Sequence, residues 1–126
     1  MQTLNKVKHI LSEILDVDED QITQETFLIR ELDAESIDLL EVALELAGEF
    51  KMEIKEADLF LRNLRIIIEQ AREKGMEPLD LLKEKMGHIP VLRLAQMLEE
   101  LPEGPVLKVK DLVSYIDSIT GQDHVA

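Results

Sequence analysis

The segment ELDAESIDLLEVALELAGEF, residues 31–50, decides how the rest of the chain is read. From Ser36 onward, Ile37, Leu40, Leu44 and Ala47 follow one stripe at helical spacing, and Ala43, Leu46 and Phe50 widen it. Asp38, Glu41, Glu45 and Glu49 mark an acidic side. The spacing predicts a helix from Ser36 to about Phe50. Serine is a preferred helix N-cap, so the plain reading of Ser36 is a cap. The plain reading of the acids is a solvated face.

Toward the N-terminus, Leu4, Val7, Leu11, Ile14 and Leu15 recur at helical spacing with Ile10 at one edge, which predicts a helix over about residues 3–16. The run from Asp16 to Gln21 has no period and ends it. Residues 17–35 read as a long ordered loop, pinned to the core by Ile22, Phe27, Leu28 and Leu32. Toward the C-terminus, Lys51–Ile54 is a short exit. Residues 57–74 read as one helix carrying Leu59, Phe60, Leu61, Leu64, Ile67, Ile68 and Ala71, with Gly75 to close it. Pro78 suits the first turn of a short helix with Leu79, Leu81, Leu82 and Met86. Pro90 opens another, with Val91, Leu92, Leu94, Met97 and Leu98, stopped by Pro102. Glu103-Gly104-Pro105 is a break. A last helix over about 108–119 carries Val109, Leu112, Val113, Ile116 and Ile119, and the tail Gln122–Ala126 is expected to fray. No segment alternates as a strand does. Helical segments joined by short loops imply an all-α bundle.

The 126 residues fit a single domain, residues 1–126, and 45% are hydrophobic, enough for a core. Only 3% are aromatic, so that core is aliphatic. Fourteen basic against 27 acidic residues give a net charge of -13, which repels nucleic acid phosphates and attracts basic protein surfaces. There is no cysteine, hence no disulfide, thiol nucleophile or cysteine zinc site. Met1–Leu4 leads into a charged amphipathic segment without an apolar signal core, and no stretch reaches the roughly 20 apolar residues of a membrane span. A cytoplasmic monomer is the expectation.

The run Glu31-Leu32-Asp33-Ala34-Glu35-Ser36-Ile37-Asp38-Leu39-Leu40-Glu41 resembles the attachment site of the acyl carrier protein family: an acid, a serine, a branched apolar residue, then more acids on a helix. The first helix, the loop with Phe27 and Leu32, and Glu49–Ile54 stand at family-like distances. Val109–Ile116 resembles the family's final helix. The likeness covers about residues 3–58 and 106–120. In two places the chain departs from the family. Glu35 stands where Asp is usual, and residues 57–105 form an insertion before the last helix, predicted to be helical. The resemblance implies an acyl-carrier-protein-like helical bundle with additional inserted helices. It implies that Ser36 Oγ attacks the pyrophosphate of coenzyme A and receives 4′-phosphopantetheine, with a phosphopantetheinyl transferase supplying the catalysis. Acyl chains then ride on the arm as thioesters. Glu35 and Asp38 would help hold the transferase's Mg²⁺, and Glu35, Ile37, Asp38, Glu41 and Glu45 would dock basic patches of the transferase and of acyl-processing enzymes.

Outside residues 57–105 there are 7 basic and 18 acidic residues, and inside there are 7 and 9, so the acidic excess lies in the carrier part. Asp16, Asp18 and Asp20 resemble the start of a calcium loop, but Gln21 replaces its glycine and Phe27 its closing glutamate. His9, His88 and His124 are scattered and form no ligand set. Arg62, Arg65 and Arg72 border the apolar stripe of the insertion. A membrane-surface helix is one reading; a helix packed on its own domain is the preferred one, because Glu69 and Glu73 interrupt the basic face. The expected function is therefore a carrier, not an enzyme, in a specialised fatty acid or lipid pathway. Fatty acid, lipid A and polyketide routes all stay open. The alternative is an acidic helical adaptor of the same fold without a prosthetic group.

Overall fold

The computed structural model describes residues 2–121; the tail Gln122–Ala126, with His124, lies outside them. Among the described residues seven α-helices follow one another: α1 Gln2–Leu15, α2 Ser36–Phe50, α3 Glu56–Leu59, α4 Leu64–Glu73, α5 Pro78–Lys85, α6 Val91–Glu100 and α7 Val109–Thr120. Among the described residues there is no strand, only one antiparallel bridge between Phe27 and Lys108.

Helix α1 packs on α2 and α7, and α3 packs on α7. Val7 and Leu11 of α1, Val42 and Leu46 of α2 and Leu112 and Ile116 of α7 are fully buried. Thr3 Oγ1 donates to Asp117 Oδ1 at 2.8 Å and ties the start of α1 to the end of α7. The loop after α1 is ordered as expected. Ile22 and Leu28 are buried, and Phe27 and Leu32 are partly so. Its backbone is paired with the approach to α7: Leu28 N–H donates to Leu107 O, and Val109 N–H to Thr26 O, both at 3.0 Å.

The expected helix over 57–74 is two helices. Leu59, Phe60 and Leu61 are all buried. Three consecutive residues of a continuous helix sweep about 200° and cannot all face one core. The chain breaks at Phe60–Asn63 instead, with Leu61 in the left-handed region at φ 57°. Helices α4 to α6 then stack in order, α4 on α5 and α5 on α6. Ala71, Leu82, Leu94 and Met97 are fully buried and belong to the same core as α1, α2 and α7.

The joint between the two parts is also ionic. Arg93 of α6, 4% exposed, reaches Asp111 of α7, 1% exposed, through Nε–Oδ1 and Nη2–Oδ2 bonds of 2.9 Å each. Its Nη1 donates to Glu100 at 2.9 Å and its Nη2 to Val106 O at 2.6 Å. Burial works against the guanidinium's charge, but Asp111 and Glu100 outweigh it and raise the pKa above the ordinary arginine value. Lys108 continues the network to Glu100 at 3.2 Å and Glu25 at 3.0 Å.

Candidate functional site

Ser36 is the first residue of α2, and the cap is its neighbour Glu35. Asp38 Oδ2 accepts the Glu35 N–H at 2.9 Å, so the third helical residue reaches back to close the first turn. The plain reading of Ser36 as an N-cap is thereby corrected. Its side chain is exposed, and its hydroxyl has no hydrogen-bond partner among the described residues. The first N–H groups of any helix lack carbonyl partners within it and form the positive end of its dipole. An unengaged hydroxyl at that end of a 15-residue helix fits a phosphodiester.

The apolar stripe that spacing picks out on α2 is not the buried one. Leu39, Val42, Ala43 and Leu46 face the core, while Ile37, Leu40 and Leu44 are 65%, 45% and 66% exposed. Two apolar stripes therefore share one helix, and periodicity merges them. The outer stripe begins directly after Ser36. Glu41 and Glu45 are exposed beside it, and Glu35 is exposed at its head. Asp38 is partly buried and committed to the cap. Glu49 turns toward α1, where Lys6 lies 3.4 Å away.

Sequence reasoning overlooked Glu13. It stands on α1 and shares with Glu41 and Glu45 a groove of about 320 Å³ floored by Ile10 and Ile14. The alternation of polar and apolar residues on α1 carried that signal only weakly, because contact between α1 and α2 is a tertiary fact. A second concavity, about 240 Å³, is lined by Ile29 from the loop before Ser36, by Phe60, Leu61 and Leu64, by Leu107, and by the exposed Arg62 and Arg65. Carrier and inserted residues thus share its walls. Among the described residues no cluster of three or more His, Asp or Glu side chains is placed to hold a metal ion, and no helix is long and apolar enough to cross a membrane.

Comparison with known proteins identifies the family. A family described as "Phosphopantetheine attachment site" matches residues 5–70. The acyl carrier protein of Thermotoga maritima is 43% identical over 58 residues, covering 46% of this chain and 72% of the relative. That of Lactobacillus acidophilus is 42% identical over 55 residues, covering 44% and 69%. That of Clostridium perfringens is 41% identical over 54 residues, covering 43% and 71%. No solved structure matches the chain. The family match runs on past residue 58 into α4, and it does not reach α7. With more than half of its residues matched, the chain belongs to the acyl carrier protein family, whose members hold acyl groups on 4′-phosphopantetheine and are carriers, not enzymes.

Proposed function

We propose that Ser36 is the phosphopantetheine site and that this carrier serves a specialised fatty acid or lipid pathway in the cytoplasm. The observation that carries the assignment is an exposed hydroxyl without a bond, at the head of a helix whose outer stripe is apolar and flanked by carboxylates. The thiol of the bound arm supplies thioester chemistry; the residues of the chain supply attachment and recognition. Ile37, Leu40 and Leu44 give a docking partner apolar contact, and Glu35, Glu41 and Glu45 select one with basic patches. Asp38 acts chiefly by holding the first turn of α2 that presents Ser36. Residues 57–105 are read as an insertion within one acyl-carrier domain, with α7 closing the bundle on α1 and α3. The cleft between Ile29 and Leu61 is the proposed shelter for the acyl chain, and the insertion would thereby tune which chain is held.

The deciding experiment is intact-protein mass spectrometry after coexpression with phosphopantetheinyl transferases. Wild type should gain one phosphopantetheine and Ser36→Ala none. Modification of Ser36→Ala would overturn the site. An unmodified wild type, isolated from its native cells, would favour the adaptor reading. The acyl group found on the native protein names the pathway.

A further inference from the structure

A groove lies between α4 and the end of α6, about 300 Å³ in volume. Its floor is Ile68, Leu98, Leu101 and Pro102, and its rim is Arg65 and Arg72. No acidic residue lines it, in a chain with 27 acids and 14 bases. Both arginines are exposed. Arg65 has no carboxylate partner among the described residues. Among the described residues Arg72 has only Glu69 at 3.5 Å, with both side chains more than 60% exposed, a pair of little worth. Seven residues apart on one helix, Arg65 and Arg72 have backbone positions about 10 Å apart along its axis. A ligand that satisfies both must carry more than one anion, within reach of two exposed arginine side chains, beside apolar side chains. A fatty acid has one carboxylate. A membrane surface takes up a protruding apolar anchor, which a groove does not offer. An acidic amphipathic helix meets the requirement.

The chain itself contains such a helix. The outer face of α2 presents Ile37, Leu40 and Leu44 with the exposed Glu41 and Glu45 beside them, one helical turn apart. We infer that the α2 face of a second copy of this protein docks in the α4–α6 groove, its leucines over Ile68 and Leu101 and its glutamates against Arg65 and Arg72. A helix face against a different surface is a heterologous contact, which grows with concentration unless two copies close on each other. One helix in one groove is small by interface standards, under about 1,200 Å², so the association is weak and a dilute solution is monomeric. It covers the face proposed above for transferase docking and would compete with it. The contact itself does not depend on Ser36 being modified, so mass spectrometry and the test below fail separately.

The test is sedimentation equilibrium of the full chain into the millimolar range. Two like-charged molecules of -13 repel at long range, whereas the contact is local. The Debye length is about 30 Å at 0.01 M salt, 8 Å at 0.15 M and 3 Å at 1 M. Association should therefore be strongest at the middle concentration and fall on both sides. Arg65→Glu/Arg72→Glu and Glu41→Arg/Glu45→Arg should each lose self-association by more than about tenfold. The second variant lowers the net negative charge, so general repulsion alone would strengthen its association. An equal mixture of the two variants should associate again, because each acidic surface then has a basic counterpart. Circular dichroism checks that these exposed substitutions leave the helices intact. A wild type that stays monomeric throughout overturns the inference. So does association that persists in the groove variant, or a mixture that stays monomeric.

Discussion

Ser36 has no structural task of its own at the head of α2, and this separates its proposed function from stability at a single atom. Glu35 and Asp38 close the turn. Ser36→Ala should therefore change the free energy of unfolding by less than about 0.5 kcal/mol, as at an ordinary surface site, while abolishing modification. Urea titration and mass spectrometry on the same sample read both. Arg93 is the opposite case. Its removal leaves Asp111 buried without its cation, so Arg93→Leu should cost about 3–5 kcal/mol, measured by chemical denaturation. Nothing in the run of Val91, Leu92 and Leu94 marks Arg93 as buried; only the partner on another helix explains it. His88 is a third residue-scale case. Burial lowers its pKa, although Asp58 and Asp111 pull it upward, and its Nε2 is buried without a hydrogen-bond partner among the described residues. The unfolded chain then binds more protons, so stability falls as pH drops below the ordinary 6.5. Below 4.5 the loss steepens. Hydrogen bonds from Lys110 and Lys108 depress Glu25; for Glu100 burial resists, but Arg93 and Lys108 prevail. His9, exposed and raised chiefly by Glu19, has the opposite sign and gains on acidification. His88→Phe keeps a ring against Tyr115, which His88 meets edge-on. This variant should flatten the stability profile between pH 7 and 5, and an unchanged slope would assign the titration elsewhere.

At the scale of elements, the bounds of α1, α2 and α7 were legible because each is a strong amphipathic period with a clear end. What was not legible is which face of α2 is buried. Leu39, Val42, Ala43 and Leu46 make one acceptable stripe and Ile37, Leu40 and Leu44 another, and only the positions of α1 and α7 choose between them. The break at Leu61 was hidden for a related reason: three adjacent apolar residues fit a helical pattern on paper but not one core. Helix α2 ends with Lys51 at φ 52°, exposed, its N–H bonded to Ala47 O. A left-handed side-chain residue costs about 1–2 kcal/mol, partly offset on substitution by the entropy glycine loses on folding. Lys51→Gly should thus raise stability by about 0.5 kcal/mol, a small upward shift in melting temperature with no effect on the Ser36 end. A loss of stability would mean that the lysine's charge at the helix C-terminus outweighs the strain.

At the scale of the molecule, the question is whether α4 to α6 form a separable layer or part of one folding unit. The sequence suggested a layer: three helix-like segments punctuated by Gly75, Pro78, Gly87, Pro90 and Pro102. The side chains favour one unit. Leu82, Leu94 and Met97 are fully buried in the core shared with Leu11, Leu46 and Leu112. Arg93 satisfies Asp111, which also accepts the Lys108 N–H at the head of α7. Replacing residues 62–103 with a short Gly/Ser linker would take Leu82, Leu94 and Met97 out of the shared core and leave Asp111 without its cation. Fully burying one such side chain contributes roughly 1.5–3 kcal/mol, so the loss is a large part of the roughly 5–15 kcal/mol that holds a domain together. The shortened chain should therefore lose cooperative unfolding. Adding Asp111→Asn should restore part of it, because the amide keeps a cap acceptor without a buried charge. Amide exchange in the full chain gives the independent reading. If the protein is one unit, the slowest amides of α5 and α6 should exchange at the rate of those in α1 and α7, through global opening. Exchange in α5 and α6 that is much faster than in α1 would mean that the layer opens alone, and the linker variant should then fold without help.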